Sequence, residues 1–173
     1  MLSQGVGVSY LYGRVLTGGT FDRFHEGHRH ILRKAFEVGF FVTIGVSSDE
    51  VVRDKYLGSM IESFGVRVGV LSGWLDMEYG SDRYEIVRNE GVYPREIFVP
   101  DLEANVMVDK TGHHGENVNR LRLREGLSPL AFVFVAPLDV LSSSDRRKAE
   151  VLACGGQVPD EGGESLVDVY RVD

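Results

Sequence analysis

Short apolar runs that suit β-strands alternate along this chain with stretches that repeat apolar residues at helical spacing. Residues 40–46 are apolar almost throughout, which is typical of a strand buried on both faces of a sheet. Residues 27–38, just before them, repeat apolar side chains as an amphipathic helix does. Strand–helix units of about 30 residues predict a parallel sheet with helices on both faces. We therefore expect a Rossmann-like α/β fold with about five parallel strands.

The same pattern extends through most of the sequence. Strands are predicted at residues 12–16, 40–46, 83–88, 96–99, 104–108 and 130–136, and helices at 27–38, 66–77, 116–125 and 143–154. Gly39 is expected to end the first helix, and Ser47 to begin a short capped helix. We interpret residues 1–173 as one domain with a core at about 12–154. Residues 155–173 form an extension, in which 165–173 either add an edge strand or stay disordered.

Composition excludes several classes of protein. The chain has 173 residues and a net charge of −7, which argues against a general nucleic-acid binder. Its single cysteine, Cys154, cannot form an internal disulfide, which fits a reducing compartment. No apolar run approaches the ~20 residues needed to cross a bilayer, and the first ten residues lack the pattern of a signal peptide. These features predict a cytoplasmic protein without a nucleic-acid or membrane partner.

Residues 18–28 connect the first predicted strand to the first helix and carry two histidines. Gly18 and Gly19 let the backbone approach a ligand closely, and the N–H groups at the start of a helix favour anions. His25 and His28 bracket that helix start, with His28 on the stripe that faces the core. Paired N–H donors there suit an oxyanion whose charge grows in a transition state. A metal site is disfavoured because no cysteine pair or acidic cluster stands nearby; one core histidine beside a solvated one is the remaining alternative.

Two further features point to phosphate binding. Ser142, Ser143 and Ser144 precede the last predicted helix, where they can form a second anion-binding turn, and Arg147 lies one helical turn on. The alternative for the serines is a plain helix cap. Lys55 follows the second strand–helix unit in a chain with four lysines against 15 arginines, where it is near enough to contact phosphates. The alternative for Lys55 is a solvated loop lysine.

The stretch at residues 18–28, Gly-Gly-Thr-Phe-Asp-Arg-Phe-His-Glu-Gly-His, resembles the signature of the HxGH nucleotidyltransferase superfamily. Its first eight residues are most similar to phosphopantetheine adenylyltransferases of the archaeal and eukaryotic type. Further stretches that resemble this family lie at residues 44–50, 53–56, 116–122, 124–130 and 141–147. The resemblance covers residues 12–148, most of the chain. The first motif is specific to the superfamily, and only the combination points to the narrower family.

This resemblance implies adenylyl transfer from ATP to 4′-phosphopantetheine, which gives dephospho-coenzyme A and pyrophosphate in coenzyme A biosynthesis. It also implies Mg²⁺ carried by ATP, with no metal ligand in the protein itself. The catalytic residues would be His25, His28 and Lys55. The acceptor-binding residues would be Thr20, Lys55 and Arg67. The nucleotide-binding residues would be Gly18, Gly19, Thr20, Phe21, His28, Ser142, Ser143, Ser144 and Arg147.

The chain departs from the family pattern at or near the acceptor side. Residues 64–67 keep only the aromatic residue and Arg67 of a stretch that is usually Tyr-Glu-Glu-Arg-like, and Asp145 occupies a position that is often basic. His113 and His114 stand where the family is usually more acidic, and such an exposed pair is more often inert than metal-binding. These departures affect the assignment of the acceptor more than that of the reaction.

Two alternatives remain open at this stage. Another member of the superfamily would transfer CMP to glycerol 3-phosphate or an alcohol phosphate, or AMP to FMN or nicotinamide mononucleotide. A non-catalytic nucleotide-binding regulator would keep the fold without the chemistry, and the intact His25, His28, Lys55 and Arg147 argue against it. The sequence leaves the oligomeric state open.

Overall fold

In the computed structural model, which describes residues 9–108 and 114–159, five parallel strands form one sheet. The strands are β1 Tyr12–Gly19, β2 Gly39–Ser47, β3 Tyr84–Asn89, β4 Ala104–Val108 and β5 Ala131–Val135. The helices are α1 Glu26–Val38, α2 Asp49–Val52, α3 Phe64–Glu78, α4 His114–Arg124 and α5 Ser143–Ala153. The predicted α/β class with a five-stranded parallel sheet is confirmed. The single-domain boundaries stay a prediction, and the segment 165–173 lies outside the described residues.

Consecutive residues of β1 divide the core into two layers, because neighbouring side chains of a strand point to opposite faces of the sheet. Val15 belongs to the larger cluster, which includes Leu32 of α1 and Leu71 of α3. Leu16 belongs to a smaller cluster on the other face, with Val118 of α4 and residues of the β3–β4 connection. Helices therefore cover both faces, as predicted. No helix in the described ranges combines the length and the hydropathy that crossing a membrane requires.

The site is set by the point at which the strand order reverses. The order is β3-β2-β1-β4-β5, so the chain changes its direction across the sheet between β1 and β4. β1 pairs along its length with β2 but pairs with β4 only at Val15 and Leu16. Open α/β sheets bind ligands in the crevice at the carboxyl ends of such strands. Gly18 lets β1 approach β2 at this end, since a Cβ there would lie 3.0 Å from the carbonyl oxygen of Gly45.

One predicted strand is wrong. Residues 96–99 lie in and just after a short 3-10 turn, Arg95–Phe98, which follows Pro94. Only Ile97 of this turn is buried, and it packs in the smaller cluster. A strand of the sheet would bury alternate residues. This segment buries one side chain and is therefore a connection that crosses over the sheet.

The residue that caps α2 is Ser48 and not the predicted Ser47, whereas α1 ends at Gly39 as predicted. Ser47 still belongs to β2, and Ser48 caps α2 by accepting a hydrogen bond from the N–H of Val51 at 3.4 Å. Gly39 caps the end of α1 as expected, but with φ −110° it leads directly into β2. Its lack of a side chain is required by packing, because a Cβ would lie 2.5 Å from Cγ2 of Val15.

A buried arginine fastens the connection that crosses from β3 to β4. Arg122 of α4 is fully buried, and its guanidinium donates to the carbonyl oxygens of Ile97, of Val99 at 3.1 Å and of Leu102 at 3.2 Å. These carbonyls have no strand partner, so the guanidinium supplies the hydrogen bonds that burial requires. The connection thereby becomes a fixed wall beside β4.

Candidate active site

The loop between β1 and α1 has an unusual backbone on both sides of Asp22. Phe21 and Arg23 have φ values of 54° and 46°, in the left-handed region that non-glycine residues rarely adopt. Asp22 is fully buried, and its carboxylate accepts hydrogen bonds from the N–H of Glu62 at 3.0 Å and from Nη1 of Arg23 at 2.9 Å. Backbone strain of this kind persists only where surrounding contacts hold it, and it is frequent at ligand sites.

His25 and His28 cap the first turn of α1 with their ring nitrogens. The Nδ1 of His25 accepts a hydrogen bond from the N–H of Gly27 at 3.1 Å, and the Nδ1 of His28 accepts one from the N–H of His25 at 3.4 Å. A neutral imidazole that accepts at Nδ1 carries its proton on Nε2. Both rings are therefore set as Nε2–H donors. They stack with centroids 3.9 Å apart, and Phe21 lies against His28 with centroids 5.2 Å apart.

Both imidazoles are held in the neutral form. Burial, together with the neighbouring His25, lowers the pKa of His28 to about 3. Burial also lowers the pKa of His25, as do the charges of Arg146 and Arg29. Neutral rings with a fixed Nε2–H can donate to a phosphate oxygen near neutral pH without first taking up a proton. The structure thus brings the two predicted histidines together at the start of the helix.

The start of α5 lies directly against the β1–α1 loop. The Oγ of Ser143 donates to the carbonyl oxygen of Asp22 at 2.6 Å. The Oγ of Ser142 donates to the carboxylate of Asp145 at 2.7 Å and also caps α5, and the Oγ of Ser144 accepts from Arg147 at 3.0 Å. The two helix N-termini are therefore neighbours, as the predicted anion-binding turns require. Each serine hydroxyl already has a protein partner in this conformation.

Arg147 is buried behind the loop. Only 3% of the residue is exposed; its Nη1 donates to Oδ2 of Asp22 at 2.5 Å and its Nη2 to the carbonyl oxygen of Tyr56 at 3.0 Å. Its Nε is buried without a hydrogen-bond partner among the described residues. Two of its nitrogens thus hold the loop in place, and its contact with the nucleotide phosphates stays a prediction.

Arg146, which sequence reasoning passed over, is the cation of α5 that acts on the histidines. Its charge lowers the pKa of both His25 and His28. Its side chain is half-buried, and its Nε makes one long hydrogen bond, 3.3 Å, to the carbonyl oxygen of Leu141. The sequence analysis assigned phosphate binding to Arg147 instead, because Arg147 lies one helical turn after Ser144. The proximity of Arg146 to the imidazoles is visible only once α5 is placed beside α1.

Lys55 and Thr20 meet at the end of β1. The Nζ of Lys55 donates to Oγ1 of Thr20 at 2.7 Å. Burial lowers the pKa of Lys55, and the charges of Arg147 and Arg67 lower it further. Arg147 and Arg67 are paired with Asp22 and Asp49, whereas Lys55 has no ion pair among the described residues. The ammonium of Lys55 is therefore the charge in this region that is left to attract an anion. These two predicted acceptor-binding residues are in direct contact.

Arg67 lies behind this pair and does not reach the crevice. The residue is fully buried, and its Nη1 donates to the carbonyl oxygens of Thr20 at 2.7 Å and of Ser47 at 2.8 Å. Its Nη2 donates to Oδ1 of Asp49 at 2.8 Å. Arg67 thus connects the residue after β1 to the last residue of β2 through hydrogen bonds in the protein interior. This burial disfavours the direct acceptor contact that the sequence predicted for it.

A cavity of about 570 Å³ opens at the carboxyl ends of β1, β2 and β4, and Gly18, Gly19 and Lys55 are part of its wall. That volume is typical of a small-molecule site. The wall combines polar residues of three strands with apolar side chains from the smaller core cluster. The polar residues include Thr17, Ser47 and Asn105, and the apolar ones include Leu16, Ile97 and Val118. His25, His28 and the serines at residues 142–144 do not line it. The site therefore has two parts, the cavity and the paired helix N-termini, which the β1–α1 loop joins.

A separate cleft of about 750 Å³ lies between α4 and the edge strand β5, against Phe132 and Phe134. None of the predicted site residues lines it. The predicted pair His113 and His114 falls outside the side chains that the structure describes. Among those side chains, no three His, Cys, Asp or Glu residues are grouped so that they could hold a metal ion.

Sequence comparison identifies relatives of this chain. Residues 16–157 match the cytidylyltransferase-like family. The chain is 39% identical over 124 residues to the phosphopantetheine adenylyltransferase of Thermococcus kodakarensis, a match that covers 72% of this chain and 74% of the relative. It is 34% identical over 151 residues to the phosphopantetheine adenylyltransferase of Methanopyrus kandleri, which covers 87% and 93% of the two chains.

Solved structures agree on the fold. A protein of unknown function from Archaeoglobus fulgidus superposes with a TM-score of 0.62 and 26% identity, over 73% of this chain and 99% of the other. A bifunctional NMN adenylyltransferase/ADP ribose pyrophosphatase from Francisella tularensis superposes with a TM-score of 0.55 and 16% identity, over 87% of this chain and 44% of the other. This second likeness concerns the fold alone. By its family match and its relatives, the chain belongs to the cytidylyltransferase-like family and, within it, to the nucleotidyltransferase enzymes of the archaeal phosphopantetheine adenylyltransferase type.

Proposed function

We propose that this protein transfers the AMP group of ATP to 4′-phosphopantetheine, forming dephospho-coenzyme A and releasing pyrophosphate. The observation that carries the proposal is the pair of neutral Nε2–H donors, His25 and His28, at a helix start joined by one short loop to the Lys55–Thr20 contact. The relatives that are 34–39% identical over most of their length carry the name of that enzyme.

The reaction needs positioning and charge stabilisation more than protein nucleophiles. A phosphate oxygen of the acceptor forms a bond to the α-phosphorus of ATP while the bond from that phosphorus to the bridging oxygen of the β-phosphate breaks. The electron pair of the broken bond leaves with pyrophosphate. Charge on the α-phosphate oxygens grows during this exchange, and the Nε2–H groups of His25 and His28 donate to them. No covalent enzyme intermediate is required.

The nucleotide would lie along the paired helix N-termini. The N–H groups that begin α1 and α5 favour the phosphates, and Arg146 supplies a half-buried cation beside them. Contacts from Ser142, Ser143 and Ser144 require an exchange of their present hydrogen bonds for bonds to phosphate oxygens. Mg²⁺ would enter with ATP, as the family resemblance implies, and would supply charge stabilisation at the phosphates.

The acceptor would lie in the cavity, with its phosphate at Lys55 and Thr20. A neutral alcohol in place of the phosphate would leave the half-buried ammonium of Lys55 without an anion, at a cost of about 1–3 kcal/mol. The apolar wall formed by Leu16, Ile97 and Val118 suits the uncharged remainder of the acceptor. The same proposal includes a preference for ATP over CTP, a cytoplasmic location, and no nucleic-acid or membrane partner.

Pyrophosphate release from a small matrix of substrates tests this function. ATP and CTP are each combined with phosphopantetheine, dephosphorylated pantetheine, glycerol 3-phosphate or nicotinamide mononucleotide. We expect efficient turnover only with ATP and phosphopantetheine. Turnover of glycerol 3-phosphate with CTP, and none with phosphopantetheine, would assign the protein to another branch of the superfamily. Calorimetric binding of ATP without any turnover would support a regulator.

A further inference from the structure

A carboxamide without a partner among the described residues forms part of the cavity wall. Asn105 lies on β4, an inner strand of the sheet between β1 and β5, and is 8% exposed. Its side chain makes no hydrogen bond or ion pair with any other described residue, although it lines the cavity. Most buried side-chain amides in proteins have a hydrogen-bond partner, so an unpaired one at a cavity surface points to a ligand.

The surroundings of Asn105 make this arrangement specific. The register pairs Asn105 with Leu16 on β1 and with Phe132 on β5, so the three side chains share one face of the sheet. Leu16 and Phe132 both belong to the smaller apolar cluster. Asparagine is depleted in strands, and a leucine or valine would suit this face better. The polar group therefore interrupts an apolar wall in the cavity that also contains Lys55.

The chemistry of a carboxamide indicates which group it would bind. Asn105 offers one carbonyl acceptor and two N–H donors and carries no charge. These groups match a secondary amide, whose N–H donates to Oδ1 while its carbonyl oxygen accepts from Nδ2. A phosphate or a carboxylate would pair better with the cations at the Lys55 end of the cavity.

We propose that Asn105 is a specificity-determining residue that binds an amide group in the arm of the acceptor. The inference rests on the proposed function, in which the acceptor carries two amides between its phosphate and its thiol. Phosphate-ended acceptors without an amide leave Asn105 unpaired and are disfavoured for that reason, since a site built to hydrogen-bond a substrate group discriminates strongly against analogues that lack it.

Kinetic constants of the full chain test the role of Asn105. Asn105→Leu replaces the amide with an apolar side chain of similar volume. If that variant folds poorly, Asn105→Ala removes the amide without adding a branched side chain. We expect either variant to raise KM for phosphopantetheine by about 10- to 100-fold, the size expected for an unpaired buried group, while KM for ATP changes less than about twofold. Asn117→Leu, on α4 and outside the cavity lining, is the matched control and should change neither constant.

A double-mutant cycle combines a substitution of Asn105 with a change in the acceptor. It separates loss of a specific contact from a non-specific effect of the substitution on the protein. Two analogues of phosphopantetheine are used, each with one amide replaced by an ester, which removes a single N–H. For one analogue, the loss of affinity seen with wild-type protein should disappear in Asn105→Leu or Asn105→Ala. Additive losses for both analogues, or an equal rise of KM for ATP, would overturn the inference. Absence of wild-type turnover with phosphopantetheine would instead contradict the proposed function itself.

Discussion

The guanidinium of Arg147 and the carboxylate of Asp22 form a buried ion pair at 2.5 Å, across 125 residues of sequence. Asp22 is fully buried and Arg147 is 3% exposed. Burial raises the pKa of Asp22, but the hydrogen bonds from Glu62 and Arg147 and the charge of Arg23 outweigh it, so the pKa lies below its ordinary value. The pair joins the loop that carries the histidines to the helix that follows the serines, and so connects the two halves of the nucleotide site.

Asp22→Asn should therefore destabilise the protein. The substitution leaves the charge of Arg147 buried without its counter-ion, and breaking a buried pair in this way costs about 3–5 kcal/mol. The free energy of unfolding in urea measures the effect. Asp54→Asn changes an exposed aspartate of the α2–α3 connection and should leave stability within about 0.5 kcal/mol. A loss below about 1 kcal/mol for Asp22→Asn would mean that the pair does not hold the loop.

His28→Ala should leave the fold intact and lower kcat by about 10²- to 10³-fold, the effect of one lost oxyanion donor. The reason is the fixed Nε2–H of this ring at the start of α1. His30→Ala, on the same helix, is the control and should retain activity. If most of the His28→Ala protein is unfolded but kcat per folded molecule is unchanged, the histidine serves stability alone.

The buried imidazole also predicts a dependence of stability on pH. Folding lowers the pKa of His28 from its ordinary value of 6.5 to about 3. Between these values the unfolded chain binds one proton more, so stability falls as the pH drops below about 6.5, by up to about 1.4 kcal/mol per pH unit. His28→Asn retains an acceptor for the N–H of His25 and removes this titration.

Urea unfolding of both proteins between about pH 7.5 and pH 5 measures the difference. The wild-type protein should lose stability more steeply than His28→Asn, by about one proton in the linkage slope. Parallel curves would show that the ring is not buried as a neutral group.

Arg146→Ala should weaken ATP binding about tenfold and change stability little, because its guanidinium lies near the imidazoles with one long bond to the protein. Arg147→Ala should mainly destabilise the fold, since two of its nitrogens bind Asp22 and Tyr56. Calorimetric titration with Mg-ATP and urea unfolding distinguish the two outcomes. Arg124→Ala, at the end of α4, is the control for loss of one exposed charge. Unchanged ATP affinity in Arg146→Ala would remove this residue from the site.

The architecture could be predicted from sequence because buried parallel strands and amphipathic helices leave periodic patterns, and β4 at Ala104–Val108 has the predicted bounds. The segment 95–98 shows the limit, since a short run with one buried residue fits a turn as well as a strand. Lys55 and Thr20 were both assigned to the acceptor by the family resemblance, but their direct contact at 2.7 Å appears only in the structure. Asp22, Arg146 and Asn105 could not be assigned roles, because each acts on or faces groups that only the tertiary fold brings near.

Transfer of label from ATP tests the central claim most directly. The protein is incubated with ATP labelled at the α-phosphate, Mg²⁺ and phosphopantetheine, and the products are separated by chromatography. The proposed reaction predicts that the label appears in dephospho-coenzyme A with one pyrophosphate released for each transfer, and that both products form about 10²- to 10³-fold more slowly in His28→Ala. Label found in free AMP alone, or retained in ATP while the protein is folded and saturated with both substrates, would contradict the account.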